Sequence, residues 1–205
     1  MTTLNTLDGN TTGTVNAASV NSITGTLAKL LTAYGSNGIT GLGNETISVS
    51  DTGGGSSLAA SDLNSLDSKT SGTITTATGL VTLTGTVAAL NTAYGSEGLT
   101  IEGDEAITIT DTTVDAEALN NLNNYTSGVI NADTLTKLTG TLADVNVAFA
   151  ADAASSATIS GLGDQDVELT DTNVLAADMN TLNTYTSGTV DAVSYTHLRA
   201  HETSS

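Results

Sequence analysis

The chain repeats itself about every 60 residues. Asp51-Thr52 returns as Asp111-Thr112 and as Asp171-Thr172. The turn Gly41-Leu42-Gly43-Asn44 returns as Ile101-Glu102-Gly103-Asp104 and Gly161-Leu162-Gly163-Asp164. Leu63-Asn64-Ser65-Leu66 returns as Leu119-Asn120-Asn121-Leu122 and Met179-Asn180-Thr181-Leu182. Each unit divides into two similar halves of about 30 residues. A period this short limits the fold sharply, because so small a unit buries its apolar face only against its neighbours. Positions that recur in every unit read as scaffold before they read as active site.

Two hydrophobic periods alternate along each half. Ile47 and Val49, Ile107 and Ile109, and Val167 and Leu169 alternate with polar residues, the mark of a half-buried strand. The odd halves are less regular, with Leu80, Val81 and Leu83 in one and Leu135 and Leu138 in another. Leu27, Leu30, Leu31 and Tyr34 fall on one helical face; Val87, Leu90 and Tyr94 repeat it, as do Leu142, Val145 and Phe149. The spacing predicts an α/β solenoid of about six strand–turn–strand–helix coils, at 13–38, 39–72, 73–98, 99–128, 129–156 and 157–188. Parallel strands are expected on one side and short helices on the other. Residues 1–12 read as part of a preceding coil, and 13–192 as the array.

Local punctuation agrees. Thr26, Thr86 and Thr141 stand where a side chain caps a helix. Gly35 and Gly95 follow Tyr34 and Tyr94, where a left-handed residue is expected to end it. Thr-Ser-Gly closes the even coils at 70–72, 126–128 and 186–188, and Gly53, Gly54 and Gly55 read as a loop insertion.

Composition narrows function mostly by exclusion. Aromatic content is 3%, so the core is built from Leu, Val, Ile and Ala, while 40 Thr and 21 Gly suit short strands and tight turns. A net charge of −18 repels phosphate backbones and anionic lipid, which argues against nucleic acid and polybasic membrane binding. Cysteine is absent, which removes disulfides and thiolate metal sites. No apolar run is long enough to span a membrane. Met1-Thr2-Thr3-Leu4 shows no signal-peptide pattern, and Leu4-Asn5-Thr6-Leu7 already reads as the end of a repeat helix, so a fragment of a longer protein is expected.

The pattern stops at Val193. Val193-Ser194-Tyr195-Thr196-His197-Leu198-Arg199-Ala200-His201-Glu202-Thr203 resembles the in-frame translation of a transposase-type sequencing adapter, so 193–205 read as a non-native, disordered tail. Setting it aside removes both histidines and the only arginine, and with them a His197/His201 metal pair.

Three sets of residues carry candidate chemistry. Thr26, Thr52, Thr86, Thr112, Thr141 and Thr172 form a ladder, preceded by Thr24, Ser50, Thr84, Thr110, Thr139 and Thr170. Such double files bind ice in some β-solenoids; the favoured reading is that they cap helices and bridge backbones. Asp104, Asp111, Asp164, Asp166 and Asp171, with Glu105, lie in Gly-rich acidic turns that suggest calcium. One Asp per coil is few for an ion wanting six to eight oxygens, and a solvated acidic turn is favoured. Asn64, Asn91, Asn120, Asn146 and Asn180 each follow an apolar helix position and suggest a stacked ladder, tolerable only if fully hydrogen-bonded. With no nucleophile elbow or phosphate loop, and no His, Cys or Arg before the tail, no enzyme is expected and no catalytic residue or cofactor is assigned.

Runs such as Ile-Thr-Gly-Leu-Gly-Asn-Glu-Thr-Ile-Ser-Val-Ser-Asp-Thr (39–52) and Asn-Thr-Tyr-Thr-Ser-Gly-Thr-Val-Asp-Ala (183–192) resemble the repeats of giant cell-surface proteins of marine cyanobacteria. They are similar also to repeats that accompany hemolysin-type (RTX) calcium-binding secreted proteins of marine bacteria. The resemblance implies a structural or adhesive segment, extracellular or at the cell surface. Its partners would be neighbouring repeats of the same long chain and cell-surface glycans or other surfaces. It leaves two alternatives: a calcium-stabilised RTX-like module, and an ice-binding surface.

Overall fold

Helices of two to three turns are unstable alone in water, so this chain sets them in a row. In the computed structural model, which describes residues 2–51, 56–80 and 82–192, each helix packs on the next in sequence. They are α1 (Thr2–Gly9), α2 (Leu27–Tyr34), α3 (Ala60–Asp67), α4 (Val87–Gly95), α5 (Ala116–Tyr125), α6 (Leu142–Ala153) and α7 (Ala176–Tyr185). The apolar stripes face inward as expected. Leu27, Leu30, Leu63, Leu66, Val87, Leu90, Leu119, Leu122, Leu142, Val145 and Phe149 are buried, with Tyr34 and Tyr94 partly so.

Strands fill the gaps. First come β1 (Val15–Asn16) and β2 (Ser22–Gly25), then β3 (Ile39–Thr40), β4 (Thr46–Val49) and β5 (Ser57–Ala59). They are followed by β6 (Ile74–Thr76), β7 (Thr82–Gly85), β8 (Leu99–Thr100), β9 (Ala106–Ile109) and β10 (Thr113–Asp115). The last are β11 (Ile130–Asn131), β12 (Lys137–Gly140), β13 (Ile159–Ser160), β14 (Asp166–Leu169) and β15 (Val190–Ala192). Every pairing is parallel, so each needs a crossover, and the helices provide it. β1 pairs with β3, and three larger sheets run β2-β4-β6-β8, β5-β7-β9-β11-β13 and β10-β12-β14-β15. Within them like residues stack: Ile23, Ile47, Ile74 and Leu99; Leu58, Leu83, Ile107, Ile130 and Ile159; Val114, Leu138 and Val167. All of these are buried, and each is worth about 1.5–3 kcal/mol relative to exposure.

The even half-repeats 39–72 and 99–128 hold three strands where the sequence predicts two. The cause is a mismatch of periods. Ile47 to Leu99 spans two rungs of a sheet in about 52 residues, whereas Leu30 to Leu90 spans two helices in about 60. The surplus is one short strand and its turn, so β5 and β10 each start a new sheet on the downstream strands β7 and β12. The matching stretch before α7, Asn173-Val174-Leu175, has no downstream strand beside it among the described residues and is not a strand.

Two local expectations are corrected. Gly35 is right-handed at φ −93°, closing the helix through its N–H to the Leu31 carbonyl, and Gly95 is the last residue of α4 without positive φ. Neither is a left-handed C′ residue. Thr86 and Thr141 do cap, their hydroxyls accepting from Ala89 N and Asp144 N at 3.2 Å. Thr26 makes no such bond. The Gly53–Gly55 insertion, Val81 and the 193–205 tail lie outside the described residues.

Candidate functional site

The recurring polar residues gather at the joints between half-repeats. The repeated Asp is the first case. Asp51 Oδ2 accepts from Leu27 N at 2.7 Å, Asp111 Oδ2 from Val87 N at 2.8 Å, and Asp171 Oδ2 from Leu142 N at 2.6 Å. Each therefore satisfies the first free N–H of the upstream odd helix and places a negative charge at its positive end. The bond is made whether or not the preceding Thr caps: Thr86 and Thr141 do, Thr26 does not.

The turns at 43–45, 103–105 and 163–165 are the second case; the sequence reading takes Glu105 only as a calcium candidate and passes over Glu45 and Gln165. Glu45, Glu105 and Gln165 are buried. Glu45 accepts from Gly43 N, Asn44 N and, at 2.6 Å, from the Tyr34 hydroxyl. Glu105 accepts from Glu102 N, Gly103 N and, at 3.1 Å, from the Tyr94 hydroxyl. In the third unit Phe149 stands where Tyr34 and Tyr94 do, seven residues into its helix, and the acid becomes Gln165. Its Oε1 keeps the turn N–H groups of Gly163 and Asp164, while Nε2 donates to Leu135 O, Gly161 O and Asp164 Oδ1. Where the phenol is lost, so is the buried charge. The ring positions match: Tyr94 stacks on Tyr125 at 5.8 Å, and Phe149 on Tyr185 at 6.3 Å.

Burial works against the ionised Glu45, but the Tyr34 hydroxyl and the turn N–H groups outweigh it and hold the carboxyl below its ordinary pKa. Burial first, then the facing carboxylate, pushes the Tyr34 and Tyr94 phenols well above theirs. Three closing segments lie over these turns. Ser71 N, Ser127 N and Ser187 N donate to the carbonyls of Gly43, Gly103 and Gly163 at 2.7, 2.7 and 2.8 Å. A Cβ on Gly72, Gly128 or Gly188 would overlap the carbonyl oxygen of Glu45, Glu105 or Gln165, so Thr-Ser-Gly ends in glycine for close approach.

The asparagine ladder joins successive helices. Asn64, Asn91, Asn120 and Asn146 Nδ2 donate to the carbonyls of Ala89, Ala118, Asp144 and Asp178, and Asn5, missed in the sequence, reaches that of Lys29. The ladder is not fully satisfied as expected, because the Oδ1 atoms of these five residues meet no protein donor. Neighbouring helices turn carbonyls, not N–H groups, toward them. Asn180 on α7 is exposed.

The calcium candidates are spread among these joints. Asp111 and Asp171 hold helix N–H groups. Asp164 accepts from Gln165, Asp166 accepts from Thr189 N and Oγ1 at 2.8 and 2.6 Å, Asp104 is exposed, and Glu105 is turned inward. Among the described residues no three His, Cys, Asp or Glu side chains converge on one point. The threonine ladder divides likewise. Thr52 lies outside the described residues, Thr112 accepts from Thr136 and Lys137 through its carbonyl, and Thr172 is exposed. Outward hydroxyl files do run on β2-β4-β6-β8, but of the predicted residues they take in only Thr24. There Ser22 and Thr46 form one file and Thr24, Ser48, Thr75 and Thr100 the other, all exposed. No family description, curated protein or solved structure matches the chain.

Proposed function

We propose that the chain is a structural or adhesive repeat segment of a large secreted bacterial cell-surface protein, folded as an α/β solenoid. It acts by stacking, as a spacer or presenting surface, and not by catalysis. One observation carries this reading. Val114, Ala116 and Leu119 are 5%, 0% and 0% exposed, yet their repeat partners Val174 and Ala176 are exposed, Val174 at 38%, and Met179 is only half-buried. At the other end Leu7 is 52% exposed where Leu66 is fully buried. Identical positions are core inside the row and surface at its ends, as in an array whose units enclose only one another. Appending a copy of residues 133–192 after Ala192 tests it. The expected result is one cooperative transition with higher unfolding free energy and m-value. A separate transition for the added unit, or an unchanged one, would overturn the reading.

A second reading has its own observation: the neutral, exposed hydroxyl files on β2-β4-β6-β8 in a chain of charge −18. An ice-binding surface there should give thermal hysteresis, reduced when Thr46 and Thr75 are changed to Lys. A wild-type chain without hysteresis ends it.

A further inference from the structure

We infer that the open end of α7, formed by the exposed Val174, Ala176 and Asn180 with the half-buried Met179, is a docking surface for a half-repeat of the odd type, and that a second copy of this chain does not fit it. The inference rests on the stacking reading above. Its warrant is continuity with the interior joints. Upstream, the same positions of even half-repeats always meet an odd one. β5 pairs with β7 and β10 with β12, seating Leu58 on Leu83 and Val114 on Leu138. Asn64 and Asn120 donate to carbonyls of the odd helices that follow at 2.9 and 3.0 Å. Val174 and Asn180 are the unpaired equivalents of these groups.

What selects odd over even is one residue. The strand–helix junction reads Thr-Gly-Thr in odd half-repeats, at Gly25, Gly85 and Gly140, and the sheets set these glycines beside Val49, Ile109 and Leu169 of the even ones. Gly85 and Gly140 abut the first residue of the upstream even helix: a Cβ would lie 3.3 Å from the Ala60 Cβ and 3.4 Å from the Ala116 Cβ. Their φ values of 156° and 138° disfavour any side chain there. Ala176 is the matching first residue of α7. An incoming even half-repeat would bring the Val, Ile or Leu of that rung against its methyl group, where the interior joints hold a glycine.

The chain's other end is of the wrong kind. Leu4-Asn5-Thr6-Leu7 matches the even Leu63-Asn64-Ser65-Leu66, and Thr11-Thr12-Gly13 matches the even closing segment Thr70-Ser71-Gly72. In the interior such a segment closes over a turn that follows an odd helix, as Ser71 N does on Gly43 O. Two copies end to end would set even against even.

The test uses the full chain extended after Ala192 by a copy of residues 133–192, whose first half is odd. The extension should raise the melting temperature and slow amide exchange over 176–182 by about tenfold or more. Gly140→Asp in the appended copy should abolish both effects. Because that variant alone can unfold the appended unit, Ala176→Arg provides a second arm. Ala176 is exposed here, so Ala176→Arg should leave the unextended chain's melting unchanged and cancel the gain in the extended one. Full stabilisation with either substitution overturns the choice of odd partner while leaving stacking intact. No stabilisation by the unsubstituted extension overturns both. The unextended chain should sediment as a monomer, and concentration-dependent head-to-tail polymers would contradict the inference.

Discussion

The pairing of Tyr with Glu in two units, and of Phe with Gln in the third, yields a sharp energetic expectation. Gln165→Glu keeps the acceptors for Gly163 N and Asp164 N but removes the two N–H groups that Nε2 shares among Leu135 O, Gly161 O and Asp164 Oδ1 at 3.1, 2.9 and 2.9 Å. It also buries a carboxylate beside Asp164 with no phenol to meet it. The cost should be about 3–5 kcal/mol, the usual range for an uncompensated buried charge. Phe149→Tyr alone buries a hydroxyl facing a neutral amide and should cost about 1 kcal/mol. Together the two changes rebuild the Tyr94–Glu105 arrangement, returning a charge-assisted hydrogen bond worth about 1.5–3 kcal/mol. Urea unfolding of the four proteins at neutral pH gives the coupling as a double-mutant cycle. Coupling below about 0.5 kcal/mol, the level of unrelated sites, would refute the idea that phenol and acid were exchanged as a pair.

Other joints give simpler outcomes. Asp111→Ala leaves Val87 N without its acceptor and should cost about 1 kcal/mol in denaturant melts; an unchanged midpoint would show the cap to be idle. Gly128→Ala forces a methyl group onto the Glu105 carbonyl and should cost about 3 kcal/mol or more, seen as early exchange of amides around 103–105. Because the folded-state pKa of Glu45 is depressed, its stabilisation is present above the unfolded value and lost as pH falls through the folded one. Wild-type melting should therefore drop in acid more steeply than that of Glu45→Gln, and parallel curves would count against the pair. Calcium or a chelator should leave melting unchanged, since Asp111 and Asp171 already serve helix N–H groups; a calcium-dependent rise would restore the calcium-stabilised alternative.

Apolar spacing made the helices and the inner strands legible, because Leu27/Leu30 and Ile47/Val49 each fit one period only. Three features were not legible, for different physical reasons. The strands β5 and β10 exist only because a downstream strand pairs with them, so Ser57-Leu58-Ala59 carries no local signal stronger than that of the unpaired 173–175. The partners of Asp51, Asp111 and Asp171 lie 24 to 29 residues upstream, and an Asp beside a Thr reads locally as a turn or ligand. Glu45 and Glu105 were hidden by their charge, since acids are seldom buried unless paired. The signal was present once the units are aligned on their helix starts Leu27, Val87 and Leu142: the acid changes to Gln165 in the one unit where Tyr changes to Phe149.

Hydrogen exchange resolved along the native chain tests nearest-neighbour stacking most directly. If each half-repeat is held only by those beside it, opening free energies should be greatest in α3–α5 and fall progressively toward α1 and α7. Appending one unit after Ala192 should move that maximum toward α7. Uniform protection from α1 to α7, or a boundary dividing the chain into two independently protected blocks, would contradict it.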